Sequence, residues 1–261
     1  MTASAIIADV LSDLKGDRLY LAGSLVAEET YGLSDAHSDV DLFCPSNNRM
    51  LYTIAKLEAK GYTFADRFDR VISRWLDYDD MTRKWHTNSM KMLSPHGVEV
   101  NLVFKKVDGN ATRSLSQVLE SFDFGLLATG YEVATGEKHD LRPYLFPGMD
   151  LKGPLPMLPN KRDNWRNGFV SQYNGLREAG RYAKYYGYGY DMSLVKEDLV
   201  TGYWAASTYL ASTFDEEKKT MARIYEVIAD HISFDNIDHL IEAYKELDFK
   251  DDLDRIMEAL E

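Results

Sequence analysis

Residues 21–43 read LAGSLVAEETYGLSDAHSDVDLF, and this stretch decides the fold. An apolar run stops at Gly23, and Ser24 opens a segment with helical spacing to about Tyr31. Serine there is suited to cap a helix. A polar loop then leads into a second apolar run that carries Asp39 and Asp41. On a strand, residues two apart project from the same face, so the two aspartates point together while Val40 and Leu42 face a core. Carboxylates held side by side repel each other and suit a hard divalent cation. Mg²⁺ takes few protein carboxylates and completes its shell with water and phosphate oxygens. Gly23 lets the backbone approach a ligand, and a helix starting at Ser24 aims free N–H groups at a phosphate. One element thus suits a phosphate tail and the other a metal, a combination that serves phosphoryl or nucleotidyl transfer.

Working outward, Ile6, Ile7, Val10, Leu11 and Leu14 predict an amphipathic helix over residues 3–15, followed by the strand RLYLAG. DVDLFC reads as a strand that Pro45 and Ser46 end, with a helix beyond them through about Lys60. GYTFADRF, VISRWLDYDD, KWHTNSMKML and GVEVNLVFKK are β-rich runs. A helix is expected at 112–120, then a hairpin in LLATGYEVATGEKHDL with Gly130 and Gly136 as turn points. Five of the seven prolines fall within 142–159, and helical patterns follow near 160–185, 192–213, 215–232 and 235–260. The expected fold class is α+β. A mixed β-sheet flanked by helices occupies 1–141, a Pro-rich linker 142–159, and an α-helical domain 160–261.

Composition narrows the function. The 261 residues carry a net charge of −12 and a pI near 5.0, so binding to a nucleic acid needs a local basic patch. One cysteine, Cys44, excludes an intrachain disulfide, and the six histidines lack zinc spacing. No G-x-x-x-x-G-K-[ST] occurs, which excludes a P-loop, and Val40 and Leu42 do not suit a calcium loop. The opening MTASAIIADVLSDLKGDR predicts neither a signal peptide nor a membrane span, and the expected location is cytoplasmic.

Strand, Gly23-Ser24, helix and then SDVDLF on the next strand resemble the nucleotidyltransferase superfamily of the DNA-polymerase-β type. The direct match covers about 25 residues, and the spacer of 14 residues between Ser24 and Asp39 is slightly long for it. The resemblance implies a metal-dependent transfer of an NMP from an NTP such as ATP to a hydroxyl acceptor, with release of pyrophosphate. It implies Mg²⁺ or Mn²⁺ on Asp39 and Asp41, and Gly23 and Ser24 at the phosphates. The acceptor stays open among a small molecule, an RNA end and a protein side chain. The resemblance also implies a third acid from a neighbouring strand, which helps hold the metal and can accept the acceptor's proton. In GVEVNLVF, Glu99 and Asn101 share a face. Glu99 is the favoured third acid and metal ligand. Should the position fall on Asn101 instead, its amide can coordinate a metal but cannot take a proton. A catalytically degenerate nucleotide- or partner-binding member of the same fold is the alternative, and a sugar-nucleotide glycosyltransferase using Asp-x-Asp is a third.

Asp35 and His37 in the loop before the pair are further candidates to line the site, whereas Asp77, Asp79 and Asp80 form an acidic patch near a strand end that reads as a turn. Asp123 interrupts an aromatic run and carries no assigned role. Residues 160–190 hold six basic side chains against two acids, whereas 191–261 hold 18 acids against seven bases. On one ideal helix Arg162, Arg166, Arg177, Arg181 and Lys184 fall within about 100° of each other. Trp165, Phe169, Tyr173 and Leu176 then form an apolar stripe. Read functionally, this wall grips a triphosphate or a nucleic-acid backbone, with Arg162 and Arg166 as nucleotide ligands. Read structurally, its arginines pair with acids of the helical domain. Tyr182, Tyr185, Tyr186, Tyr188 and Tyr190 are candidates for base stacking or, more simply, packing.

Overall fold

The computed structural model describes residues 2–32, 39–65, 86–107, 110–111, 113–168 and 172–236. Asp35, His37, Asp77, Asp79, Asp80, Phe169 and most of the helix expected at 235–260 lie outside the described residues. The chain divides into two compact units, one of residues 1–122 and 126–144, the other of 123–125 and 145–261.

The first unit is built on a mixed sheet. Its helices are α1 (Ala3–Asp13), α2 (Ser24–Tyr31), α3 (Asn47–Glu58) and α4 (Leu115–Glu120). Its strands are β1 (Tyr20–Ala22), β2 (Val40–Phe43), β3 (Thr63–Phe64), β4 (His86–Leu93), β5 (Glu99–Val107), β6 (Asn110–Ala111), β7 (Thr129–Glu132) and β8 (Glu137–Asp140). The sheet order is β3-β4-β5-β2-β1-β7-β8, with β6 paired to the end of β5. Only β2 and β5 run parallel among these pairs.

The alternation of β2 and β5 sorts the two faces. Val40, Leu42, Val100 and Leu102 join Met90, Met92 and the apolar side chains of α1 and α3 in the main core. The other face carries Ala22, Phe43 and Val103 under Leu115, Val118 and Leu119 of α4. Asp41 and Asn101 belong to this second face by the period of two. Cys44 is buried in the main core, and burial pushes its thiol pKa up to about 12, so it is an inert packing residue.

Two glycine expectations change. Gly130 is no turn residue. It pairs with Ala22 inside the sheet, where an added Cβ would lie 2.8 Å from both the Leu21 carbonyl oxygen and a Leu115 methyl. Close approach, not turn geometry, requires glycine there. Gly136, with φ of 75°, does sit between the two hairpin strands.

The second unit is helical, with α6 (Pro159–Arg166), α7 (Gln172–Gly187), α8 (Ser193–Ala211) and α9 (Glu216–Ser233); the short α5 (Arg142–Leu145) precedes it. The single helix expected across 160–185 is interrupted. α6 ends with Asn167 as its cap, and Gly168 has φ of 74°, so one helical wheel does not describe its basic residues. Trp165 is buried against Gly202, where a Cβ would stand 1.9 Å from the indole, and its ring meets Tyr203 edge-on. The tyrosines at the end of α7 are engaged in packing. Tyr182 stacks on Tyr186, and Tyr185 meets Phe124, Tyr188 and Tyr190 edge-on. No described helix is long and apolar enough to cross a membrane.

Candidate functional site

The register of three neighbouring strands builds the site. β1 pairs with β2 so that Ala22 lies opposite Asp41, and β2 pairs with β5 so that Asp41 lies opposite Asn101. β5 pairs with β4 so that Asn101 lies opposite Lys91. Lys91, Asn101 and Asp41 therefore form one row across the sheet. Asp39 stands just before β2, and Glu99 begins β5.

The Asn101 amide bridges the aspartate pair. Its Nδ2 donates to Asp41 Oδ1 at 3.0 Å and to Asp39 Oδ2. Asn101 is only 9% exposed, and its Oδ1 is buried without a hydrogen-bond partner. Which end of an amide carries oxygen is assigned from the bonds around it. With the two carboxylates alone, the NH₂ belongs toward them. With a cation between them, the amide oxygen can turn inward and become a third hard oxygen donor. Two carboxylates and one amide oxygen fit a divalent cation. Among the described residues no group of three or more His, Cys, Asp or Glu side chains is arranged to hold a metal ion.

Gly23 closes the other side of Asp41. It is the N-cap of α2, with φ of 103°, and a Cβ there would lie 2.7 Å from Asp41 Oδ2. The expectation that Ser24 caps the helix is thus corrected. Ser24 is the first helical residue, it is buried, and the cap makes no side-chain hydrogen bond. The first N–H groups of α2 consequently begin beside the Asp41 carboxylate, and these are the groups a helix leaves open to an anion.

The remaining expected site residues have other partners. Glu99 Oε1 forms an ion pair with Lys91 Nζ, and both side chains are partly exposed. Arg162 and Arg166 belong to the second unit, where both donate to Oδ1 of the fully buried Asp198, at 2.9 Å and 2.6 Å. The Met157 N–H donates to Oδ2 of the same carboxylate at 3.2 Å. Arg177 and Arg181 face Asp123 and Glu178, joined by Lys161 at 3.4 Å from Asp123. Lys184 lies over the rings of Tyr185 and Tyr188.

Sequence reasoning passed over Lys91. The alternation of buried Met90 and Met92 around it marks Lys91 as a residue of the opposite face. Its place beside Asn101 depends on the β4–β5 register, which that alternation does not specify.

No protein-family profile matches the chain, and no curated protein sequence does. Among solved structures, the chain is similar to a CCA-adding enzyme in complex with CTP, at 12% identity and a TM-score of 0.46, over 96% of this chain and 58% of that one. It is similar to a Thermotoga maritima CCA-adding enzyme complexed with tRNA, at 12% identity and a TM-score of 0.44, over 100% of this chain and 68% of that one. A tRNA-processing enzyme in an apo form gives 15% identity and a TM-score of 0.43, over 98% of this chain and 73% of that one. The chain thus spans 58% of the length of the first of these enzymes.

Proposed function

We propose that this chain binds a nucleoside triphosphate together with a divalent cation and transfers the nucleoside monophosphate to a hydroxyl acceptor. One observation carries the reading: one carboxylate oxygen of Asp41 fills the space where a Cβ of Gly23, the N-cap of α2, would stand, and the other accepts from the Asn101 amide. A cation held by Asp39 and Asp41 would stand next to the N–H groups that would receive phosphate oxygens. Mg²⁺ or Mn²⁺ would neutralise charge on the phosphates when bound there. The residues themselves orient the nucleotide. Gly23 leaves room for the Asp41 carboxylate at the helix start, Ser24 begins the N–H-lined helix end, and Asn101 fixes the spacing of the two carboxylates. In the transfer, the acceptor oxygen bonds the α-phosphorus as the α–β bridging bond breaks. Pyrophosphate leaves with the electron pair, and the hydroxyl proton passes to water. This reading assigns Glu99 to Lys91, and Arg162 and Arg166 to Asp198.

Asn101 favours a second reading, a nucleotide-binding module of the same fold without transfer, because an amide cannot accept the acceptor's proton. One experiment separates the two. The chain is incubated with each α-labelled NTP, Mg²⁺ and cell extract, and pyrophosphate release and acceptor labelling are followed. Transfer predicts a labelled fraction that disappears in Asp41→Ala. Mg²⁺-dependent binding with neither label transfer nor pyrophosphate would support the binding module. Undiminished labelling by folded Asp41→Ala would overturn the assignment of the site.

A further inference from the structure

We infer that the site takes one divalent cation with the nucleotide rather than two, and that the Lys91 ammonium supplies positive charge where a second cation would stand. The inference rests on the proposed nucleotide site and deepens it. Two cations that clamp attacking and leaving oxygens lie roughly 3.5–4 Å apart, so they need carboxylates enough to offset their mutual repulsion. The row across the sheet offers few. Asp39 and Asp41 are acids, but the residue opposite Asp41 is the neutral Asn101. The next residue in the row is a cation, Lys91. Among the described residues, the one further acid on this edge, Glu99, forms an ion pair with that lysine.

The amide supplies a second, independent observation. Asn101 is nine-tenths buried, it sits on both aspartates, and its oxygen has no hydrogen-bond partner. Turned toward the pair, that amide oxygen would complete a single cation's protein ligands, and it carries no charge with which to hold a second ion. Lys91 suits the complementary task. Its ammonium is a compact point charge with three donors on a flexible stem, and its side chain is half exposed while Glu99 anchors it. A triphosphate oxygen entering beside Asn101 would meet a fixed positive charge supplied by the protein. Lys91 thereby becomes a substrate-binding residue and Glu99 its positioning residue.

The test counts cations. Mn²⁺ is titrated into the full chain with the α,β-methylene analogue of each ribonucleoside triphosphate, and bound Mn²⁺ is measured by electron paramagnetic resonance. One tightly bound Mn²⁺ per chain with at least one analogue is the expected result. Two would overturn the inference while leaving the nucleotide site intact, and none with any analogue would overturn the nucleotide site itself. The double variant Asn101→Asp/Lys91→Met restores an acid and removes the ammonium, so it should take up a second Mn²⁺; a count that stays at one contradicts the roles given to these two residues. Lys91→Met alone should keep one Mn²⁺ and bind the analogue on the order of tenfold more weakly. Unchanged affinity would remove Lys91 from the substrate site.

Discussion

Two pairs of acids in this chain are handled in opposite ways. In the helical unit, Asp123 and Glu178 are buried, and the chain surrounds them with Lys161, Arg177 and Arg181. In the sheet unit, Asp39 and Asp41 are bridged by a neutral amide. The first pair is matched by cations from its own unit, and its removal should cost stability. The bridge that Asn101 makes across the second pair brings no charge. Removing an acid there should cost ligand binding and little else. On the proposed function, the difference separates carboxylates that hold the fold from carboxylates that would serve a ligand.

The largest effect that bears on this contrast is functional. Asp41→Ala should lower transfer by on the order of 10³-fold. Its thermal unfolding should shift by no more than about 1 kcal/mol, because the change also relieves repulsion between two acids. The counterpart is Asp123→Ala, which strips a buried acid from three cations and should destabilise the helical unit by about 3 kcal/mol. Denaturant melts of both variants check the contrast, and equal stability losses would erase it.

A pH series sharpens the same comparison. Burial, reinforced by the neighbouring Asp123, pushes the Glu178 carboxyl up to about 7 from its ordinary 4.5. The folded helical unit therefore keeps this proton where the unfolded chain has lost it. The stabilisation is complete below pH 4.5 and disappears as the pH rises through about 7. A shift of this size corresponds to about 3 kcal/mol. Glu178→Gln should flatten that part of the stability curve, and an unchanged slope would assign it to another group.

Smaller effects follow. Gly23→Ala places a methyl against Asp41 at a positive φ and should cost about 1–2 kcal/mol. In an Asp41→Ala background part of that cost should vanish, since the clash goes while the backbone strain stays. Lys184→Ala removes an exposed cation from the faces of Tyr185 and Tyr188 and should change stability by only about 0.5 kcal/mol.

Much of the local structure was legible in the sequence because it follows from period and punctuation. The strand before Gly23, the helix to Tyr31 and the strand carrying Asp41 appear where their apolar spacing puts them. So does the helix after Ser46, whose Oγ accepts the Arg49 N–H. Strand pairing was not legible, because register is decided between segments distant in the chain. Glu99 and Asn101 show the effect of register. Both lie on one face, and only the β2–β5 pairing puts Asn101 beside the aspartates while Glu99 goes to Lys91. Gly130 was read as a turn because a glycine required by a neighbouring side chain looks the same in sequence as one required by φ. The basic wall was drawn on one continuous helix, and the stop at Asn167 and Gly168 separates Arg162 and Arg166 from Arg177 and Arg181.

The most direct measurement is calorimetric titration of the folded chain with each nucleoside triphosphate, with and without Mg²⁺, alongside the double variant Asp39→Ala/Asp41→Ala. The account predicts Mg²⁺-dependent binding of at least one nucleotide to the native chain and its loss in a double variant that still melts cooperatively. Binding that ignores Mg²⁺, or that survives removal of both aspartates, would contradict it.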